Sequence, residues 1–207
     1  MEKGKTKKKT VHKTKKRKKG KKFKIKKIDI DQILLQKRQL FLFGIIDEKM
    51  ANNIVKRMIA LDRISHNPIV LYINSPGGKV SAGFSIIDIM LGIKSPVITF
   101  ITGSACSMAG IISIAGTQRL ISKHSIWMAH DMQAGIIDYA TKIEDRAEFY
   151  KKEQKKLFDF IIEHTKLSEK EIRRAIIGEL WLTPKECKEK GIADFIVGED
   201  KINGKKK

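Results

Sequence analysis

Ser107 lies in Gly103-Ser104-Ala105-Cys106-Ser107-Met108-Ala109-Gly110, a cluster of small residues directly after the apolar, β-branched run 97–102. A serine that begins a helix at the end of a buried strand can project its hydroxyl into a cleft. The free N–H groups of the first helical turn then point at whatever sits there. That is the chemistry of an activated oxygen nucleophile at a nucleophile elbow, beside an oxyanion hole. A tight strand-to-helix crossover packed with small residues would have the same composition, so other segments must decide.

Two further places hold residues of the right type. Gly77-Gly78 follows the apolar run 69–74, and His130 follows the apolar run 125–129. Cys106 adjoins Ser107 and could be taken for a nucleophile, but free cysteines are more often small buried residues. His66, His124 and His164 fall at the ends of elements and read as surface or capping residues. No metal-ligand spacing joins them to a cysteine or a second histidine, and no phosphate-binding Gly-Lys-Ser/Thr loop is present. The reading therefore calls for no cofactor and no metal, and any ATP hydrolysis that serves this chain is expected from another protein.

Elements with short connections must position these residues. A short helix is expected from residue 28, then a strand over 39–43 ending at Gly44. Asp47 is an N-cap candidate for a helix over 48–61, with Met50, Ile54, Met58 and Leu61 on one face. A strand over 69–74 runs into Ser75-Pro76-Gly77-Gly78, read as a turn. A helix over 81–93 follows, then the strand 97–102 and the helix begun by Ser107. Strands over 118–121 and 125–129, a long helix over 139–165, capped helices at Ser168 and Thr183-Pro184, and a strand over 193–197 complete the chain. Such β-α alternation argues for a parallel sheet covered by helices, in which ligands bind beyond the carboxyl ends of the strands. Gly77-Gly78 and Ser107 both fall at such ends. The long helix exceeds what one domain needs, so part of it is expected to project and pack on a partner chain.

The net charge of +20 is unevenly placed: residues 1–27 carry 16 of the 43 Lys+Arg and a single acid, Glu2. A lysine block this poor in apolar residues cannot bury enough surface to fold. Residues 1–27 therefore read as a disordered lysine-rich tail, 28–200 as one folded domain, and 201–207 as a basic C-terminal tail. The tail has one aromatic, Phe23, and no recognisable nucleic-acid fold follows it, so no specific nucleic-acid binding is expected. It lacks the apolar region of a secretory signal, and no stretch approaches the roughly 20 apolar residues of a membrane span. Two cysteines form no disulfide framework and fit a reducing, cytoplasmic compartment.

Taken together, the motifs resemble those of the ClpP family, the proteolytic subunits of the Clp proteases, over roughly residues 30–198. Leu34-Leu35-Gln36-Lys37-Arg38 and Met50-Ala51-Asn52 are similar to the family's opening helices. Leu71-Tyr72-Ile73-Asn74-Ser75-Pro76-Gly77-Gly78 with Ala82-Gly83 is similar to its glycine turn, residues 103–108 to its nucleophile motif, and Met128-Ala129-His130 to its histidine motif. The resemblance implies an α/β fold of the ClpP/crotonase type, with stacked β-α-β units and a projecting strand-helix handle that includes a strand at Gly135-Ile136-Ile137. It implies Ser107 as nucleophile, His130 as general base, and the Gly78 and Met108 amides as oxyanion donors. The family's third member is an aspartate. Here Glu179 takes that place, and Asp131, where the family usually has glutamine, is a second candidate to orient His130.

The resemblance further implies a serine endopeptidase acting on polypeptide substrates, as a homo-oligomer of two stacked heptameric rings fed by an AAA+ unfoldase. The lysine-rich tail departs from the family's pore loops. It keeps a phage prohead-type protease without an ATPase in view. Two competing functions are a catalytically silent, ClpR-like ring subunit and a crotonase-type acyl-CoA enzyme. Retention of Ser107, His130, Gly78 and Met108 opposes the silent subunit, and the crotonase-type enzymes lack this Ser/His pair.

Overall fold

Four of the seven α-helices among the described residues, those starting at Ile30, Glu48, Glu169 and Pro184, begin at a side-chain cap. The computed structural model describes residues 29–200, so the lysine-rich segment 1–27 and the basic end 201–207 lie outside the described residues. In chain order the elements are α1 (Ile30–Gln36), β1 (Gln39–Ile46), α2 (Glu48–Ile64), β2 (Ile69–Gly78), α3 (Val80–Gly92), β3 (Val97–Cys106), α4 (Met108–Ile114), β4 (Gln118–Ser122), β5 (Ile126–His130), α5 (Ile143–His164), α6 (Glu169–Ile177), β6 (Glu179–Leu182), α7 (Pro184–Glu189) and β7 (Phe195–Val197). Asp47 accepts from the Met50 amide at 2.8 Å to start α2. Ser168 with Glu171 and Thr183 with Glu186 form capping boxes at α6 and α7. Each such cap contributes about 1 kcal/mol. The face of α2 is turned slightly from the expected one: Ala51, Ile54, Met58 and Leu61 are buried, and Met50 only partly.

The strands join in one sheet of mostly parallel order, β1-β2-β3-β4-β7, as the β-α alternation requires. Sheet residues such as Leu42, Leu71 and Ile101 pack with Met58, Ile86 and Ile112 from the helices in a single core. Strand β3 is ten residues long and forks. Its first half pairs with β4 through Ile98–Ile101, and its second half pairs with β5 through Ser104, Ala105 and Cys106. The fork separates the structural sheet from a small second layer, β5 with β6, that carries His130.

Four local expectations change. Strand β1 does not stop at Gly44 but passes through it, at φ 84°, to Ile46 with a register shift. Residues 75–78 are not a separate turn: they extend β2, because Gly77 and Gly78 pair with Ile45 and Ile46 of β1, while the inward Ser75 hydroxyl accepts the Gly77 amide at 3.0 Å. Residues 131–137 precede α5 without a strand, since an extended segment needs a ladder partner and none is offered to it within the described chain. Strand β6 adds to the expected set and pairs antiparallel with β5. The long helix does project: among its residues only Leu157, Phe158 and Ile161 are buried, whereas Ile143 and Phe149 near its start are about half exposed. Among the described residues, no helix is long and apolar enough to cross a membrane.

Candidate active site

Strand register brings the candidate residues to one corner. Cys106, the last residue of β3, is the register partner of Met128 in β5. The chain turns immediately afterwards, and the Ser107 amide donates to the Met128 carbonyl at 2.8 Å. Ser107 sits at φ 54° and ψ −127°, a conformation that costs a non-glycine residue about 1–3 kcal/mol. This is the strained elbow that the small residues of 103–110 foretell. Its hydroxyl makes no capping bond to α4 and so remains directed elsewhere.

Two glycines make the elbow possible. A Cβ at Gly77 would stand 2.7 Å from the Ser107 Cβ and 3.0 Å from the Met108 nitrogen, so only glycine lets β2 approach the turn this closely. A Cβ at Gly78, at φ 154°, would collide with the Ile46 backbone. The amides around these glycines are divided between structure and cleft. Gly77 N–H goes to the Ser75 hydroxyl, and Lys79 N–H reaches back to the Ile46 carbonyl at 2.8 Å. Gly78 itself lines the same cleft as Ser107. Met108 opens α4, where the amide has no intrahelical acceptor. Behind the elbow, fully buried Trp127 donates its Nε1–H to the Gly110 carbonyl at 3.2 Å and fixes the start of α4 against β5.

Ser107, Met108, Gly78, His130 and Asp131 line a single cleft of about 290 Å³. Its far wall is apolar, formed by Ile111, Leu157, Phe158 and Ile161 from α4 and the buried end of α5. Glu179 is not in the cleft lining. It stands beside His130 as its direct partner in the antiparallel β5–β6 pair. The Glu179 carboxylate accepts the Trp181 Nε1–H at 2.8 Å. The Asp131 carboxylate is engaged with its own surroundings: Oδ1 accepts the Met132 amide at 2.6 Å and the Gln154 side-chain amide of α5.

Cys106 is buried, and this burial pushes its thiol above the usual range; the Ser104 hydrogen bond opposes the shift and the Glu179 charge adds to it. A neutral buried thiol is a packing residue, not a nucleophile. The other histidines stay outside the cleft: His66 pairs with Asp62 at 3.1 Å, His124 is exposed, and the His164 ring stacks on Phe160. Among the described residues, no group of three or more His, Cys, Asp or Glu could hold a metal ion.

Two residues at this corner join the ones expected from sequence: Trp181, on Glu179, and Gln154, on Asp131. The available signal for Trp181 is the alternation Glu-Leu-Trp-Leu after Gly178, which buries Leu180 and Leu182 and exposes the residues between them.

Comparison with known proteins agrees with this geometry. The sequence model of the Clp protease family matches residues 20–200. ATP-dependent Clp protease proteolytic subunit 1 of Chlamydia caviae is 34% identical over 174 residues, covering 81% of this chain and 91% of that protein. Its counterpart in Chlamydia muridarum is 35% identical over 173 residues, covering 81% and 90%. ATP-dependent Clp protease proteolytic subunit 2 of Treponema denticola is 34% identical over 177 residues, covering 82% and 88%. With a match over nearly the whole described chain and a forked α/β sheet that ends in a serine elbow, this protein belongs to the Clp protease family, a family of serine peptidases.

Proposed function

We propose that the protein is a serine endopeptidase in which Ser107 attacks the scissile carbonyl carbon and His130 accepts the Ser107 proton. The Gly78 and Met108 amides receive the oxyanion of the tetrahedral intermediate. His130 then returns the proton to the departing amine, and a water molecule, activated by the same imidazole, hydrolyses the acyl-serine ester. Glu179 orients the imidazole and stabilises its positive charge. The observation that carries this reading is the strained Ser107 elbow sharing one cleft with His130, Gly78 and Met108. The apolar wall of the cleft favours an apolar substrate side chain next to the scissile bond.

The assembly that fits this reading is two stacked heptameric rings enclosing the active sites, in the cytoplasm. The exposed apolar start of α5 supports a partner contact there. The names of the relatives include "ATP-dependent", which supports an AAA+ unfoldase as feeding partner. Residues 1–27, with 16 of the 43 Lys+Arg, favour acidic over basic chains by an attraction that salt screens. The test is mass spectrometry of the intact protein after incubation with a fluorophosphonate. One adduct that disappears in Ser107→Ala supports the peptidase; no adduct on assembled wild-type protein sinks it. A silent ring subunit is the second reading, favoured by the glutamate at the third position, and the missing adduct is its signature.

A further inference from the structure

Glutamate in place of aspartate at position 179 raises a positional problem that the neighbouring residues answer. Register partners in an antiparallel pair share a face, so Glu179 and His130 project from the same side of β5–β6, and so do Trp181 and Met128. Opposed Cβ atoms in such a pair lie about 4.5–5.5 Å apart. An aspartate there has two side-chain torsions and a short reach. A glutamate has three, and its carboxylate can settle in several rotamers, only some of which face the imidazole. At an exposed strand such as β6, packing alone does not select among them.

One contact does. The Trp181 indole donates its single N–H to Oε2 of Glu179 at 2.8 Å, from two residues along the same strand and hence the same face. Indole is a donor only, so it occupies one carboxylate oxygen and leaves Oε1 with its lone pairs. The ring is itself rigid, with two torsions, and is half exposed, so its position follows from the strand more than from the core.

We propose that Trp181 is a positioning residue for this active site: its indole N–H pins the longer carboxylate of Glu179 so that the free oxygen is presented to His130. The inference rests on the reading of Glu179 as the group that orients His130. Trp181 touches neither the substrate nor the reacting atoms. It compensates for the extra methylene that glutamate brings to the position.

The test is steady-state hydrolysis of a fluorogenic peptide by the full-length assembled protein, for wild type, Trp181→Phe, Glu179→Asp, the double variant, and Glu179→Gln. Trp181→Phe is expected to lower kcat about 10-fold with KM within about twofold, since only transition-state stabilisation is lost. In the Glu179→Asp background the same change is expected to alter kcat less than about twofold, because the shorter side chain needs no pin. Benzothienylalanine at 181, which keeps the ring shape and replaces N–H by sulfur, must reproduce the loss if Trp181→Phe disturbs folding or assembly. Equal losses in both backgrounds mean a packing role and overturn the inference. So does a Trp181→Phe variant as fast as wild type, or faster, which would make the indole a spectator or a competitor of His130. Glu179→Gln with full kcat removes the role of Glu179 and this inference with it. Impaired Glu179→Gln beside full-speed Trp181→Phe removes this inference alone.

Discussion

His130 and Glu179 are direct partners across the antiparallel β5–β6 pair, so imidazole and carboxylate leave the sheet on one side. Asp131 follows His130 in sequence, yet its carboxylate is turned to the Met132 amide and to Gln154 of α5. The two carboxylates are therefore engaged differently, Glu179 with the Trp181 indole on the face it shares with His130 and Asp131 with the projecting helix.

Neutralising them separately should show this. Glu179→Gln is expected to lower kcat by about 10²–10⁴-fold, because a group that holds the imidazole's tautomer and charge is lost. Asp131→Asn should change it less than about fivefold, since an amide oxygen still accepts from Met132 and Gln154. Peptide hydrolysis at saturating substrate checks both, and a reversed order would make Asp131 the orienting acid.

Gly78, proposed above as an oxyanion donor, stands where a Cβ has no room. In Gly78→Ala the new methyl meets the Ile46 backbone, and relief of that collision rotates the amide out of the cleft. Loss of one oxyanion donor raises the barrier by about 2.7–4 kcal/mol, so kcat should fall about 10²–10³-fold while the fluorophosphonate still reacts slowly at Ser107. Burst kinetics with an active ester separate acylation from binding. An unchanged acylation rate would remove Gly78 from the oxyanion hole.

The strain at Ser107 should be recoverable as stability. Its φ of 54° and ψ of −127° suit glycine far better than any residue with a Cβ. Both Ser107→Ala and Ser107→Gly should abolish hydrolysis, and Ser107→Gly should be the more stable of the two by about 1 kcal/mol. Chemical denaturation of the two inactive variants measures the difference, and equal midpoints would mean that the elbow stores no strain.

Far from the cleft, Asp62 ties the end of α2 to the start of β3. The Ser95 hydroxyl, then the Ser95 amide and His66, hold its carboxyl down to about 2, against a smaller opposing effect of burial. A depressed folded-state pKa adds stability that is complete above the unfolded value near 4 and is lost as pH falls through the folded value near 2. Wild type should therefore exceed Asp62→Asn in denaturation midpoint at pH 6, and the gap should close between about pH 4 and pH 2. A gap independent of pH would assign the difference to packing.

Much of this is legible residue by residue. Asp47, Ser168 and Thr183 mark helix starts because a cap is a bond between neighbours in the chain, and the apolar runs of β1 to β5 mark strands because alternation and burial leave a local pattern. The small residues of 103–110 with Gly77-Gly78 similarly announce an elbow, since a close backbone approach excludes side chains wherever it occurs. The run 75–78 misleads, because Ser-Pro-Gly-Gly is turn chemistry in any isolated peptide and only the pairing of Ile45 and Ile46 with Gly77 and Gly78 keeps it in the sheet.

What the chain's own order of residues determined is most of the elements, the α/β class of the fold and the serine, histidine and glycines that chemistry would need. Only the tertiary structure decided that Glu179 is the strand partner of His130, that the Trp181 indole bonds its carboxylate, and that the Asp131 carboxylate accepts from Met132 and from Gln154 of α5. The first of these joins residues about 50 positions apart through strand register, and register is settled by pairing across the sheet, where a shift of one residue turns every side chain to the opposite face.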